Sequence, residues 1–260
     1  MNVSEVATQL SEVLHKNIQH LDEEGQALRS ERHGLLFANE KWQVDDTEPL
    51  SSLIDHTNLR PDATAGDIAK LCAQAIQYDF RAVCINSANV RIAAQALQRS
   101  RVRVAATVGF PLGAVYPTAK VVEALACVAQ GSSEIDMVLH VGALKAGAYN
   151  AVLNDIKGVV QAVGTNALVK VIVETCLLTT EDIMAACLLC KWAGADYVKT
   201  STGFSLAGAN EVHVSLMRQV VGANMGVKAA GGIRCKADAL RLVQAGASRL
   251  GTSRGPDLIK

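Results

Sequence analysis

Apolar residues along this chain gather into short runs, and between the runs apolar positions recur every three or four residues. The runs predict strands at 51–55, 82–86, 103–108, 133–139, 168–173, 196–199, 226–229 and 248–251. The stretches between them predict helices near 64–78, 87–98, 118–130, 149–163, 180–193, 210–221 and 235–245. Eight strands alternating with helices argue for an α/β protein whose parallel sheet closes into a (β/α)8 TIM barrel rather than staying open.

The first 49 residues follow a different pattern. Val3, Val6, Leu10, Val13, Leu14, Ile18 and Leu21 recur at helical spacing, which predicts an amphipathic helix that Gly25 interrupts. From Arg29 to Thr47 the chain is polar apart from Leu35-Leu36-Phe37 and Trp42. The chain therefore divides into an N-terminal helical extension, 1–49, and a barrel domain, 50–260. The apolar face of the extension has to be buried. Capping the closed end of the barrel is the simpler expectation. Contact with another subunit in a homo-oligomer, at simplest a dimer, is the alternative.

Composition narrows the picture. At 260 residues, half of them hydrophobic, one large domain with a sizeable core is expected, close to the roughly 250 residues of such a barrel. Lys+Arg and Asp+Glu balance at 25 each, so neither a nucleic acid nor an acidic membrane surface is an expected partner. No apolar run approaches the roughly 18 residues of a membrane span. The N-terminus lacks a charged-then-apolar signal, so a cytoplasmic location is expected. Seven cysteines lie without a repeated spacing and read as small buried hydrophobes. Cys187-Leu188-Leu189-Cys190 has metal or redox spacing but falls inside a predicted helix without a second pair, so packing explains it better. The six histidines are scattered, and no metal is expected.

The candidate chemistry centres on Ala195-Asp196-Tyr197-Val198-Lys199-Thr200-Ser201-Thr202-Gly203, a short strand running into a glycine turn. Alternation puts Tyr197 and Lys199 on one face and Asp196 and Val198 on the other. A lysine at the end of a buried strand requires explanation, since an unpaired ammonium is costly to bury. Either it acts as a neutral amine nucleophile or it pairs with a carboxylate from another strand. Lys228 ends the following strand, Lys170 lies on the preceding one, and Asp136 sits within the apolar run Ile135-Asp136-Met137-Val138. Three lysines and an acid in comparable places point to a site rather than a core. Separately, Gly231-Gly232 and Gly251-Thr252-Ser253 follow the last two strands, where barrels of this kind commonly bind phosphate through backbone N–H groups. Tight turns alone are the alternative for these glycines.

Taken together, Lys199-Thr200-Ser201-Thr202-Gly203-Phe204-Ser205, Lys228-Ala229-Ala230-Gly231-Gly232, Lys170-Val171-Ile172-Val173-Glu174-Thr175 and Asp55-His56-Thr57 resemble the deoxyribose-phosphate aldolase family, from about Ser52 to about Gly255. The resemblance implies reversible cleavage of 2-deoxy-D-ribose 5-phosphate into D-glyceraldehyde 3-phosphate and acetaldehyde, without a cofactor. It implies that Lys199 forms a Schiff base and that Lys228 and Asp136 are its electrostatic and proton-moving partners. Asp55 and Lys170 would position substrate and belong to the supporting charge network, Thr57 would position substrate, and Thr202, Gly203, Gly231, Gly232, Gly251 and Ser253 would bind phosphate. Two ammonium groups about 6 Å apart repel by roughly 3 kcal/mol at an effective dielectric near 20, enough to lower one lysine's pKa by about two. A phosphate-binding isomerase without a covalent step, or a non-catalytic phosphate-binding barrel, are the other readings. One departure stands out: Arg254 follows Gly251-Thr252-Ser253 where relatives usually carry serine, and its bulk suggests that it turns outward.

Overall fold

The structure, a computed structural model, describes residues 2–15, 18–36, 44 and 47–260. Eight parallel strands close into a barrel in sequence order: β1 (Ile54–Asn58), β2 (Ala82–Asn86), β3 (Arg103–Val108), β4 (Glu134–Val138), β5 (Leu168–Ile172), β6 (Tyr197–Lys199), β7 (Gly226–Ala230) and β8 (Arg249–Thr252). Two helices, α1 (Val3–Leu14) and α2 (Ile18–Leu36), precede the barrel. Its outer ring is α3 (Ala65–Gln77), α4 (Val90–Leu97), α5 (Pro117–Ala129), α6 (Val141–Lys145), α7 (Tyr149–Val163), α8 (Thr180–Trp192), α9 (Glu211–Val221), α10 (Lys236–Gln244) and α11 (Gly255–Ile259). The expected (β/α)8 architecture is what forms. The first strand starts later than its apolar pattern suggests, because Leu50–Leu53 make a 3-10 turn. Two short helices, α6 and α11, were not apparent in the sequence, each being only five residues long.

Strand alternation sorts side chains into two environments. Outward residues such as Val83, Ile135, Val171, Val198 and Val227 are buried in one apolar shell under the helices. Inward residues fill the barrel. Near its closed end Tyr197 packs on Leu168 with the Arg249 guanidinium over its ring, 5.4 Å from the centroid. Two glycines make room inside. A Cβ at Gly226 would lie 2.1 Å from the Tyr197 ring, and one at Gly251 would lie 3.2 Å from Cε of Lys228.

The extension differs from expectation. The helix does not break at Gly25; α1 instead ends at His15, whose left-handed φ of 51° closes it, and α2 continues through Gly25. A Cβ at Gly25 would sit 2.2 Å from the Lys191 carbonyl oxygen, so this glycine permits close packing of α2 on α8. Around that contact Arg29 donates to the Lys191 carbonyl at 2.6 Å and Lys191 pairs with Asp22 at 3.0 Å. The two helices lie against α7 and α8 and meet the barrel's closed end at the turn Gly164–Asn166. Among the described residues the extension thus runs along the barrel's flank and reaches its closed end at that turn. Phe37 and Trp42 lie outside the described residues.

Replacing Gly25 with alanine should therefore destabilise the fold by about 1–3 kcal/mol, through overpacking on α8, despite alanine's better helix propensity. Urea unfolding checks this. A gain in stability would mean that the α2–α8 contact yields easily.

Candidate active site

Cross-strand register assembles the site. Lys199 on β6 faces Lys228 on β7, and Asp136 on β4 faces Lys170 on β5. All four side chains point inward, and at the centre lies the Asp136 carboxylate, fully buried. Its Oδ2 accepts from Lys199 Nζ at 2.8 Å and from Lys228 Nζ at 2.7 Å, while Oδ1 accepts from Lys170 Nζ at 2.8 Å. Lys228 also donates to Asp55 Oδ2. Lys170 pairs with Glu134 Oε2 at 2.5 Å. Arg249 completes the set, bonding Asp55 Oδ1 at 2.7 Å and Glu134 Oε2 at 3.2 Å, and Arg103 reaches Glu134 from the rim at 3.2 Å.

Burial alone would push these groups toward neutrality, but their neighbours reverse it. It raises the carboxyl pKa values of Asp55, Glu134 and Asp136. The surrounding cations outweigh it and hold all three below their ordinary values, Glu134 and Asp136 well below. Burial lowers Lys170 and Lys228, yet Asp136 with Glu134, and Asp136 with Asp55, raise them above the ordinary lysine range. Lys228 is thus a fixed cation next to Lys199. The pairwise repulsion expected between the two lysines is real in geometry, but a shared carboxylate oxygen lies between them. Of the two readings of Lys199, this contact is the ion pair with a carboxylate from another strand.

Above this layer a cavity of about 600 Å³ opens at the C-terminal ends of the strands. Lys199 lines it, as do Thr57, Thr202, Gly203, Gly231, Gly232, Gly251 and Ser253. Gly203, Gly231 and Gly232 have φ of 85°, 84° and 78°, a region that favours glycine. Gly208 approaches so closely that a Cβ there would lie 2.1 Å from the Gly231 carbonyl oxygen. Arg60, Lys70, Arg234 and Arg254 also line the cavity, which makes its mouth cationic. Arg254 is solvent-exposed, as its bulk suggested, and still belongs to the cavity wall.

The structure narrows two expected roles. Asp55 and Lys170 are fully buried, paired within the ionic layer and absent from the cavity wall, so of the two roles expected of them the supporting charge network is the one their contacts serve. The reason is rank along the strands: Lys199 lies opposite Ile172, two residues beyond Lys170. Thr57 does line the cavity, its hydroxyl donating to the Asp55 carbonyl at 2.8 Å. Thr202 is committed elsewhere than to an anion: its hydroxyl donates to Glu174 Oε2 at 2.5 Å and its amide to the same carboxyl at 3.3 Å. The sequence reading missed Glu134 and Arg249. Each lies two residues before a residue singled out on its strand, Asp136 and Gly251, and alternation alone puts each pair on one face. Nothing in the sequence points to Arg60 or Lys70, which join the site only through the close approach of the β1–α3 segment. Cys187 and Cys190 are buried in α8, as packing requires. Among the described residues no group of three His, Cys, Asp or Glu side chains is arranged to hold a metal ion, and no helix is long and apolar enough to cross a membrane.

Comparison with known proteins agrees in fold and in sequence. Residues 50–257 match the model of the DeoC/LacD family aldolases. The chain is 50% identical over 216 residues to a deoxyribose-phosphate aldolase of Aciduliprofundum boonei, covering 83% of this chain and 97% of that protein. It is 52% identical over 214 residues to one from Thermococcus gammatolerans, covering 81% and 95%. A deoxyribose phosphate aldolase from Aeropyrum pernix, described as a tetramer, superposes with a TM-score of 0.76 at 31% identity, covering 92% of this chain and 95% of that one.

The charged interior fixes the pH range of stability. Carboxyls with depressed pKa add stability above about pH 4.5 and lose it as pH falls through their folded values. The raised lysines add stability below about pH 10 and lose it as pH rises through theirs. The melting temperature should be flat from about pH 7 to pH 8 and fall on both sides, gently at first, because burial holds His56 below its ordinary value and pushes the thiols of Cys72, Cys127, Cys187 and Cys190 above theirs, and steeply once the ionic layer itself titrates. Lys170→Met leaves Glu134 and Asp136 without a shared cation and should cost about 3–5 kcal/mol at neutral pH. An unchanged melting temperature would show that the layer is not held by these charges.

Proposed function

This chain belongs to the DeoC/LacD family of aldolases, and we propose that Lys199 is the amine through which it works. Its family relationship makes it a lyase, a class I aldolase acting on a deoxyribose phosphate. The observation that carries the assignment is that Lys199, of all the residues in the buried ionic layer, reaches the cavity. Lys170 and Lys228 are enclosed and raised in pKa, the first by Asp136, Glu134 and Asp55 and the second by Asp136 and Asp55, which suits them to remain ammonium ions. Lys199 has one carboxylate contact, to Asp136, and an open side toward substrate.

In the reaction, neutral Nζ of Lys199 attacks C1 of open-chain 2-deoxy-D-ribose 5-phosphate. The carbinolamine then loses water to give an iminium ion, whose positive charge forms at the nitrogen that Asp136 already contacts. That carboxylate offers electrostatic stabilisation without reorganisation. Loss of the C3 hydroxyl proton breaks the C2–C3 bond, and the electron pair moves into the C1–C2 bond and onto nitrogen as an enamine. D-Glyceraldehyde 3-phosphate leaves. Protonation of C2 and hydrolysis release acetaldehyde and restore the amine. Lys228, an enclosed cation two hydrogen bonds away, keeps its proton and repels a second ammonium beside it. Asp136, held strongly anionic, anchors the lysines, and water in the cavity supplies the proton for the departing water and takes the one from the C3 hydroxyl.

The phosphate would lie against Gly203, Gly231, Gly232, Gly251 and Ser253, with Arg234 and Arg254 supplying charge from the rim. In the same sense we propose a homo-oligomer, which the tetrameric Aeropyrum pernix relative supports, and a cytoplasmic location, with residues 1–49 as an N-terminal extension of the catalytic barrel.

Borohydride reduction with acetaldehyde present should leave an ethyl group on Lys199, found by peptide mass mapping; adducts confined to surface lysines would end this reading. Lys228→Leu should remove most turnover and move the residual pH–rate profile upward, whereas an unchanged profile would mean that Lys228 does not tune the amine. Arg254→Ser should raise KM for the phosphorylated sugar by roughly 10- to 150-fold if the guanidinium contacts phosphate, the loss of a charged hydrogen bond. A change below about threefold would make Arg254 a surface charge.

A further inference from the structure

We propose that Glu174 is a positioning residue of this active site, holding the Lys199–Gly203 segment in the shape that presents Lys199 and the Gly203 turn to substrate. The proposal rests on Lys199 being the catalytic amine.

Glu174 follows β5 with φ of 58° and ψ of 62°, in the left-handed region. Among the described residues two other non-glycine residues have positive φ, His15 and Asp79. Both are exposed and lie just past the ends of helices α1 and α3, where such a conformation is common. Glu174 is 4% exposed and ends a strand instead. A glycine would adopt this backbone without strain. What glycine lacks is the carboxyl, and that carboxyl takes both donors of Thr202, the amide at 3.3 Å and the hydroxyl at 2.5 Å. The Thr202 hydroxyl in turn accepts from the Phe204 amide at 3.0 Å, which shapes the turn around Gly203.

Backbone straps flank the clamp. Val173 donates to the Lys199 carbonyl and Thr175 to the Thr200 carbonyl, each at 2.9 Å. The strained residue thus lies between two bonds that tie β5 to the catalytic strand. The same neighbourhood leaves two fully buried hydroxyls, Thr175 Oγ1 and Ser201 Oγ, without a hydrogen-bond partner. A strained backbone beside unpaired buried polar groups is what a segment shaped for function, rather than for stability, looks like. Glu174 is absent from the cavity wall while Thr202, Gly203 and Phe204 line it, so it acts through them.

Glu174→Gly separates positioning from stability. The variant should lose only part of the stability that two unpaired Thr202 donors would cost, because relief of backbone strain offsets some of it. Its kcat/KM for 2-deoxyribose 5-phosphate should nevertheless fall about 10- to 100-fold, mostly through KM, as the turn loses its shape. Glu174→Gln keeps one acceptor oxygen and should recover part of the loss. Thr202→Val removes the hydroxyl contact, and adding it to Glu174→Gly should cost little more than Glu174→Gly alone, since both break one interaction. If Glu174→Gly does not fold, Glu174→Gln and Thr202→Val should each raise KM several-fold, and an unchanged KM in both overturns the proposal. Unchanged kinetics in a folded Glu174→Gly, or losses that multiply independently in the double variant, also overturn it. Borohydride trapping of acetaldehyde on unaltered enzyme runs alongside: no adduct on Lys199 would overturn the aldolase reading and this proposal with it, whereas a normal adduct with unaffected variants sinks the positioning role alone.

Discussion

The Asp136 carboxylate is the contact on which this barrel's interior depends. Three lysines from β5, β6 and β7 converge on its two oxygens. Remove that negative charge and three ammonium groups face one another in a space with no water to screen them. Around it the network closes outward, because Lys170 leans on Glu134, Lys228 on Asp55, and Arg249 bridges those two acids. A buried ion cluster of this kind contributes little net stability compared with an apolar core, since desolvation offsets most of the attraction. What it provides is position. Each lysine can satisfy its charge in only one place, so Lys199, the proposed nucleophile, is held where the cavity begins.

The barrel supplies this arrangement through size and rank as well as charge. Long lysine and arginine stems fill the interior in place of the branched apolar residues usual in such barrels. Gly226 and Gly251 are the counterpart of that choice, since the volume they leave is occupied by Tyr197 and the Lys228 stem. Upward along the strands the filling changes from paired charges to Lys199, and then to the glycine turns at Gly203, Gly231 and Gly232. Each level needs the one beneath it.

Much of this was legible in the sequence, for reasons that differ by element. The eight strands and their helices were readable because periodicity is a local property, and the inward face of β6 followed from alternation at Tyr197 and Lys199. Lys228 and Asp136 stood out because a charge in an apolar run is rare. Gly25 was misread, since a glycine that admits a neighbouring helix looks the same in sequence as one that breaks its own. The rank of Lys170 below Lys199 was equally hidden, because strand register depends on the stagger of the closed barrel and not on spacing along the chain. The backbone of Glu174 left no sequence trace at all, as glutamate has no preference for a left-handed φ.

Charge balance ties the layer to the reaction. Within the ionic layer the acids are Asp55, Glu134 and Asp136 and the cationic side chains are Lys170, Lys228, Arg249 and Lys199, with Arg103 partly exposed at the rim. In the proposed reaction, with Lys199 as a neutral amine, the charges inside this layer cancel. Forming the proposed iminium ion adds one positive charge beside a carboxylate already shared by two other ammonium groups. Cleavage of the C2–C3 bond sends an electron pair toward that nitrogen and gives a neutral enamine, which restores the balance. The interior is therefore most comfortable before attack and after cleavage, and least so between them. That ordering favours passage through the iminium ion rather than its accumulation, and it follows from how many charges the barrel buries rather than from any single contact.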